Sequence, residues 1–439
     1  MAAALKQGAV HVDAVEIDPA IYNLGLRDHP DQPYKNPRVS IHIDDGRSYL
    51  RRTDRQYDLI VYALVDSLVL HSGYSNIRLE SFLFTKEAFE DIKARLKPGG
   101  IFAAYNSFRQ GWVVGRLTKM MRGAFGCEPL VMSLPYTECI TPNAPFNRCT
   151  FILDGSNSAT LERIRQRLSE SPYQINNAPE LNDHINGFDH IPTSVAGGAA
   201  SGWNRISLTK VEERKTEAVP TDDWPFLYLR EAVVPALNLR GIAIIAILSA
   251  ALIFAFSPAR RAMPNWRMFF IGAGFMLIET KSVVHMALLF GSTWMVNSIV
   301  FAAILVMILC SNLFVLIFKP RRLWPQYALL AAALLVGFLV PMHTFLNLPG
   351  AQHILVPCAV VFVPIFFAGI VFAMAFRDSR EPDADFGSNI AGAILGGVCE
   401  SLSLMIGFNN LLVVALLFYG LSAVLNRRAP ALSPAVPRT

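Results

Sequence analysis

Two rhythms of apolar and polar positions divide this chain. Over roughly the first 170 residues, short β-branched runs alternate with amphipathic stretches. From about residue 240 onward, long apolar runs take over and charges are few, most of them in blocks between the runs. In the first part the alternation predicts strands at 11–17, 38–43, 57–63, 101–106 and 148–153, and helices at 19–26, 46–52, 84–96, 112–125 and 159–169. Lys97-Pro98-Gly99-Gly100 reads as a helix stop followed by a turn. Strands and helices taking turns at this spacing predict an α/β domain with a parallel, doubly wound sheet, because each parallel strand needs a crossover that a helix supplies.

Between Gln174 and Asp223 the periodicity fades and Gly, Ser, Asn and Pro become frequent, which predicts a loop-rich linker. It ends at Thr221-Asp-Asp-Trp-Pro-Phe-Leu-Tyr228, an aromatic cluster suited to a membrane–water interface. Apolar runs then fall at 241–257, 268–290, 294–318, 326–346, 354–376, 386–407 and 409–426. Most approach the ~20 residues that a bilayer-crossing helix needs. The expected organisation is an α/β domain over 1–173, a linker over 174–239, an all-α polytopic transmembrane domain of about seven helices over 240–428, and a disordered tail over 429–439.

Lys and Arg occupy alternate connections. Arg260, Arg261 and Arg267 lie in the first, Lys319, Arg321 and Arg322 in the third, and Arg377 and Arg380 in the fifth, while Arg427 and Arg428 follow the last run. The second, fourth and sixth connections carry neither residue. This bias predicts that the odd connections face the cytoplasm, with the lipid bilayer as a partner. With seven spans the α/β domain lies outside. If the run 268–290 or 386–407 is re-entrant, the parity changes and the domain lies inside.

Composition averages over this division. The 439 residues are 53% hydrophobic and 17% charged, which describes neither half. Part of the net charge of +5 sits in the membrane connections, where it is a topology signal and no nucleic-acid footprint. The six cysteines contain no Cys-x-x-Cys pair, so neither a zinc site nor a disulfide framework is expected, with a Cys139–Cys149 pair as the minor alternative. Met1 to Gly8 is short and lacks the apolar core of an export signal.

The first candidate chemistry lies at two strand ends. Val12-Asp-Ala-Val-Glu-Ile-Asp-Pro19 places Glu16 at the end of a strand, where open α/β sheets present acids to ribose hydroxyls; the bland reading is a strand-end acid with Asp18 as a helix cap. Ile43-Asp-Asp-Gly-Arg47 places Asp45 and Gly46 in the same crevice, where Asp45 suits an adenine amino group; the bland reading is an Asp-Gly turn capping the next helix.

Together with Tyr57-Asp-Leu-Ile-Val61, Leu83-Phe-Thr-Lys-Glu-Ala-Phe89 and Leu96-Lys-Pro-Gly-Gly-Ile101, these motifs resemble the spermidine synthase family, over about residues 1–155. That family is a branch of the Rossmann-like methyltransferases. The chain also resembles bacterial membrane proteins in which such a domain is fused to transmembrane helices; Phe275-Met-Leu-Ile-Glu-Thr280 and Leu289-Phe-Gly-Ser-Thr-Trp294 look like their segments.

The resemblance implies a fold and a chemistry. The cofactor, used as a substrate, would be S-adenosylmethionine or its decarboxylated form, with Glu16 on the ribose and Asp45 and Gly46 beside the adenine. The acceptor would be a small molecule of the polyamine kind. Where the family carries Asp-Ser-Ser-Asp after its fourth strand, this chain reads Ala63-Leu-Val-Asp66. The general base is thus replaced by Ala63, while Asp66 is retained to orient the acceptor. The family's first strand and glycine-rich loop have no counterpart here, and Met1 to Gly8 looks like the helix that follows that loop. The expectation is a truncated start, or else a degenerate, non-catalytic domain. The lost strand sits mid-sheet in the family, so its neighbours would carry unpaired edges.

The remaining candidates keep two readings each. His71, Tyr74, Arg78 and Glu80 cover a ligand or lie in a solvated loop, and His184 and His190 with Asp183 and Asp189 form a metal site or a solvated loop. In the apolar half, Glu279, Lys281, His285, Asn389 and Glu400 pair internally and fix packing, or they form a polar site. Gly392-Ala-Ile-Leu-Gly396 is a small-x-x-x-small surface for close helix approach. The leading reading is membrane-bound alkyl transfer, of an aminopropyl or a methyl group. The alternative is a non-catalytic ligand-binding domain on a transporter or membrane sensor.

Overall fold

A computed structural model describes residues 1–65, 80–106, 111–136, 147–169, 174–176, 205–208, 218–256, 265–340, 344–345, 348–349 and 351–425. The chain divides into two units, Met1–Ala232 and Val233–Thr439.

The first unit begins with α1 (Ala2–Lys6), β1 (Val12–Glu16), α2 (Pro19–Asp28), β2 (Val39–Ile43), α3 (Gly46–Arg52) and β3 (Tyr57–Ala63). It continues with α4 (Lys86–Arg95), β4 (Leu96–Asn106), α5 (Gly111–Phe125), β5 (Leu130–Tyr136), β6 (Asn147–Gly155), α6 (Ser158–Ser169), β7 (Gln174–Asn176) and β8 (Arg205–Leu208). Helix starts follow local chemistry: Asp18 accepts the Ala20 N–H at 2.8 Å and Thr85 accepts the Ala88 N–H at 3.2 Å, each satisfying an orphan donor of the first turn.

The sheet is mixed and comes in two pieces. β1 and β2 pair in parallel, and the second piece runs β3-β4-β6-β5-β8-β7. Within it β3–β4 is parallel, but β4–β6, β5–β6 and β5–β8 are antiparallel, which corrects the expectation of a wholly parallel sheet. The physical reason is that β6 runs antiparallel along β4 and β5 pairs antiparallel with β6 in turn. Among the described residues, β1 and β3 each pair on one side only. The helix stop expected before Lys97 is present, α4 ending at Arg95, but Lys97-Pro-Gly-Gly100 is an irregularity inside β4 and not a turn ahead of it, opposite a register shift between Tyr57 and Leu59. There Gly99 takes φ +80°, and a side chain at Gly100 would press on the Tyr57 and Lys97 carbonyls.

Phe89, Ile92, Phe102, Val114, Met121 and Ile152 form the core under β4, with α4 and α5 packed over it. Leu227, 1% exposed, belongs to the same cluster. It comes from residues 218–230, assigned to a linker by composition, which are bonded into this unit. The Lys86 N–H donates to the Pro220 carbonyl at 3.0 Å, and Arg116 Nη1 donates to the Leu227 and Leu229 carbonyls at 2.7 and 2.6 Å. The Arg116 guanidinium also lies over the Trp112 ring, 4.7 Å from its centroid. Arg47 completes the attachment. Buried to 3% exposure, it donates to Asp222 Oδ1 and Oδ2 at 2.6 and 2.9 Å and to Asp91 Oδ2 at 2.8 Å. Burial works against its charge, but the Asp222 and Asp91 carboxylates outweigh that and hold it protonated.

One buried acid in this unit has a different character. Asp154 on β6 is 0% exposed; its Oδ1 accepts the Gly155 N–H at 2.7 Å, while Oδ2 has no hydrogen-bond partner. Burial pushes its carboxyl up to about 7 from an ordinary value of 3.8. Between those two values the folded chain keeps a proton that the unfolded chain has released, so stability falls as pH rises across that window. Asp154→Asn is expected to flatten this decline and to stabilise the protein at pH 8 by about 1–3 kcal/mol. Thermal melts of both forms at pH 5 and pH 8 measure it; parallel pH dependence in the two would contradict the assignment.

The second unit is helical: α7 (Ala236–Phe256), α8 (Trp266–Phe290), α9 (Trp294–Phe318), α10 (Trp324–Leu339), α11 (Gln352–Arg377), α12 (Pro382–Cys399) and α13 (Asn410–Val424). Glu400–Leu402 and Ser403–Ile406 prolong α12. Every expected apolar run thus contains a helix among the described residues. Trp266–Phe290, Trp294–Phe318, Gln352–Arg377 and Pro382–Ile406 are long and apolar enough to cross a membrane, and Asn238–Ser249, Trp324–Leu339 and Asn410–Val424 are shorter apolar helices. Gly407-Phe-Asn-Asn410 makes a tight connection into α13, with Gly407 at φ +80°. α8 and α12 meet backbone to backbone, because a Cβ at Gly392 would overlap the Phe269 carbonyl oxygen. Asn389 Nδ2 donates to the Met268 carbonyl at 3.0 Å across the same contact.

Candidate active site

A cleft of about 590 Å³ opens between β1, the β2–α3 turn and β3, lined by Asp13, Glu16, Asp44, Asp45, Gly46 and Ala63 among others. It runs along β1 and β3 from Asp13 and Tyr57 near their starts to Glu16, Ala63 and Leu64 at their C-terminal ends, and only this last part is the usual ligand position in open α/β sheets. Its size suits a nucleoside-sized molecule.

Glu16 ends β1, and its Oε1 accepts the Asp18 N–H at 3.1 Å. Its backbone carbonyl accepts the Asp44 N–H at 3.0 Å, which ties this strand end to the β2–α3 turn. Asp45 is 8% exposed and caps α3, its Oδ1 accepting the Ser48 N–H at 2.9 Å. The capping reading of Asp45 therefore holds, and the same carboxyl also lines the cleft. Gly46, the first residue of α3, leaves the wall open: a Cβ there would meet only Leu83, at 3.9 Å. The fold brings Glu16, Asp45 and Gly46 to one cleft. Asp66 lies outside the described residues, as do His71, Tyr74, Arg78, Cys139, His184 and His190.

Three features of the cleft escape the strand-end argument. Asp44 is paired with Arg52, and its Oδ1 accepts the Asp45 N–H at 2.9 Å. Asp13, with its side chain 2% exposed, accepts from Tyr57 Oη at 2.9 Å and from Arg55 Nη1 at 2.9 Å, and lies 3.0 Å from His42 Nε2. Burial pushes its carboxyl up, but bonds from His42, Tyr57, Arg55 and His11 outweigh that and hold it at about 2. Its position before the strand end gave it the look of an ordinary strand residue, and its partners lie far away in sequence. Leu64, directly after β3, takes φ +51° and donates its N–H to the Tyr105 carbonyl at 3.1 Å. That backbone is strained for a side chain with a Cβ, as positions beside ligand sites often are. Among the described residues no group of three or more His, Cys, Asp or Glu could hold a metal ion.

A family model for the spermine/spermidine synthase domain matches residues 6–161. Curated relatives include the polyamine aminopropyltransferases of Serratia proteamaculans, 32% identical over 103 residues, and of an Escherichia coli O1:K1 strain, 33% identical over 98 residues. These alignments cover 23% and 22% of this chain and 33% and 31% of the relatives. The chain thus spans about a third of the length of the curated relatives it matches. Among solved structures, a spermidine synthase bound to the transition-state analogue AdoDATO covers 44% of this chain and 60% of its own, at 14% identity and a TM-score of 0.26. A probable spermidine synthase from Corynebacterium glutamicum covers 49% and 69%, at 17% identity and a TM-score of 0.27. Residues 6–161 are therefore a spermine/spermidine synthase-type domain, in a chain that continues into a helical C-terminal region.

Proposed function

We propose that this protein is a membrane-bound alkyltransferase of the spermidine synthase type, anchored in a plasma membrane of the bacterial inner type by its apolar helices. It uses S-adenosylmethionine or its decarboxylated form, whose sulfonium makes an adjacent carbon electrophilic. The acceptor is a small molecule, an amine of the polyamine class on the family's precedent. The observation that supports this most is the placement of Glu16, Asp45 and Gly46 around one cleft inside the matched domain. Glu16 would accept from the ribose hydroxyls. Asp45 would receive the adenine amino group on the carboxylate that also caps α3. Asp66 would orient the acceptor's ammonium. The division at residues 173, 239 and 428 is part of the same proposal, with residues 218–230 of the middle segment docked on the first unit.

Charge-assisted hydrogen bonds of the kind assigned to Glu16 contribute about 1.5–3 kcal/mol each. Glu16→Gln keeps the shape and removes the charge, so affinity for the nucleotide should fall about tenfold or more. Titration calorimetry on the full chain in detergent, with S-adenosylmethionine and with its decarboxylated form, measures this. Equal affinity in Glu16→Gln and the parent would sink the ribose assignment.

Ala63, at the cleft where the family carries its base, favours a second reading. In it the domain binds the nucleotide without turnover and serves a transporter or membrane sensor. Binding without product formation separates this reading from the first.

A further inference from the structure

The two pieces of the sheet face each other across the cleft without a shared backbone ladder: among the described residues β1 pairs with β2 alone and β3 with β4 alone. Side chains join them instead. Asp13 on β1 accepts at Oδ2 from Tyr57 Oη, at the start of β3, at 2.9 Å. Arg55 Nη1, just ahead of β3, donates to its Oδ2 at 2.9 Å and to its Oδ1 at 3.0 Å. His42 Nε2 on β2 and His11 Nε2 ahead of β1 lie 3.0 and 3.2 Å from the same Oδ1. Among the described residues, the hydrogen bonds from residues 11–16 to residues 53–63 thus meet at one carboxylate, apart from the 3.1 Å contact between His11 Nε2 and Arg55 Nη1.

The burial of this charge points to geometry as its use. The Asp13 side chain is 2% exposed, and both of its oxygens are taken by donors from neighbouring segments. An ion buried in this way is expensive, and an apolar side chain would fill the same strand position at lower cost. What its directional bonds add is one fixed arrangement of the parts they join. Here the parts are the two walls of the cleft, tied together near their strand starts. Glu16 ends β1 three residues further on. A strand rises ~3.3 Å per residue, so a shift or tilt at Asp13 reaches Glu16 over only about 10 Å. We propose that Asp13 is a positioning residue of the nucleotide site: by clamping β1 to β3 it fixes where the Glu16 carboxylate stands relative to the end of β3, without itself touching the nucleotide. This rests on the reading of the cleft as a nucleotide site.

The test reads nucleotide affinity by calorimetry on the full chain in detergent, well below the melting midpoint of every variant used. The parent, Asp13→Asn, Glu16→Gln and the double variant are titrated with S-adenosylmethionine and with its decarboxylated form. Asp13→Asn should weaken binding about fivefold or more, the scale of coupling within one bonded network. In the Glu16→Gln background the same change should cost less than about twofold, because the group that Asp13 places is already lost. A role in stability alone lowers the midpoint of Asp13→Asn and leaves its affinity unchanged, and that result overturns the proposal. Additive losses in the double variant overturn it too, since Asp13 then acts independently of Glu16. Tyr57→Phe removes the bond to β3 and keeps the ion pair with Arg55, so it serves if Asp13→Asn does not fold. It should weaken binding about threefold, again only with Glu16 present, and unchanged affinity there also counts against the clamp. A parent chain that binds neither nucleotide removes the site reading and the proposal with it. That failure is distinct from a parent that binds and an Asp13→Asn that binds as well.

Discussion

Arg47→Met is expected to destabilise the first unit by about 3–5 kcal/mol, the usual cost of breaking a buried ion pair from one side. The guanidinium is 3% exposed and satisfies two carboxylates as well as the Phe82 carbonyl, which accepts from Nη1 at 2.9 Å. Methionine replaces the volume but leaves Asp222 and Asp91 to share Arg51 alone, whose Nε lies 2.8 Å from Asp91 Oδ2 and whose Nη2 lies 3.5 Å from Asp222 Oδ2. The loss also loosens residues 218–230, because Asp222 is one of their attachments to α3 and α4; its N–H is held by Glu87 at 2.9 Å. Melting the full chain in detergent, followed by the fluorescence of Trp112 and Trp224, reads both effects. Arg47→Met combined with Asp222→Leu should recover part of the loss, since Arg51 then has one carboxylate to neutralise instead of two. A single variant that melts within 1 °C of the parent would show that the network contributes little.

A single methyl group at Gly392 should be nearly as damaging. A Cβ there would overlap the Phe269 carbonyl oxygen, and backbone cannot swing aside as a flexible side chain can. Gly392→Ala is therefore expected to cost about 3 kcal/mol, the upper part of the usual overpacking range. The control lies on the same helix. Gly397 has nothing within 4 Å of its would-be Cβ, so Gly397→Ala should be neutral or slightly stabilising through helix propensity. Thermal midpoints in detergent compare the two. Similar midpoints for both variants would mean that α8 and α12 do not meet as closely as described.

These two residues also mark how far the sequence could be read. Gly392 was legible as a packing surface, because small residues at a spacing of four lie on one helix face. Elements with strong local signals were legible to the residue: α3 begins where Asp45 caps and Gly46 follows, and β3 carries its apolar run from Tyr57 to Ala63. β5 was not foreseen. Leu130-Val-Met-Ser-Leu-Pro-Tyr136 lacks clean alternation and contains Pro135, and its strand character comes from pairing with β6 and β8. The antiparallel half of the sheet was missed with it. At the candidate site, Glu16, Asp45 and Gly46 were visible because strand ends converge in any such fold. Arg47 and Asp222 lie 175 positions apart, and nothing local announces their pairing. The same holds for the bond between Asp13 and Tyr57, 44 positions apart.

Alkyl transfer by this cleft is tested most directly by its nucleoside product. The full chain in detergent is incubated with a diamine and either decarboxylated S-adenosylmethionine or S-adenosylmethionine, and the sulfur-containing nucleosides are followed by mass spectrometry. Aminopropyl transfer moves the propylamine carbon from sulfur to nitrogen and releases methylthioadenosine and a proton; methyl transfer releases S-adenosylhomocysteine and a proton. The account predicts that one of these products accumulates with the parent chain, in step with the alkylated amine, and falls about tenfold or more in Glu16→Gln at subsaturating nucleotide. Neither product rising above the protein-free control, with the nucleotide bound and intact, would contradict it.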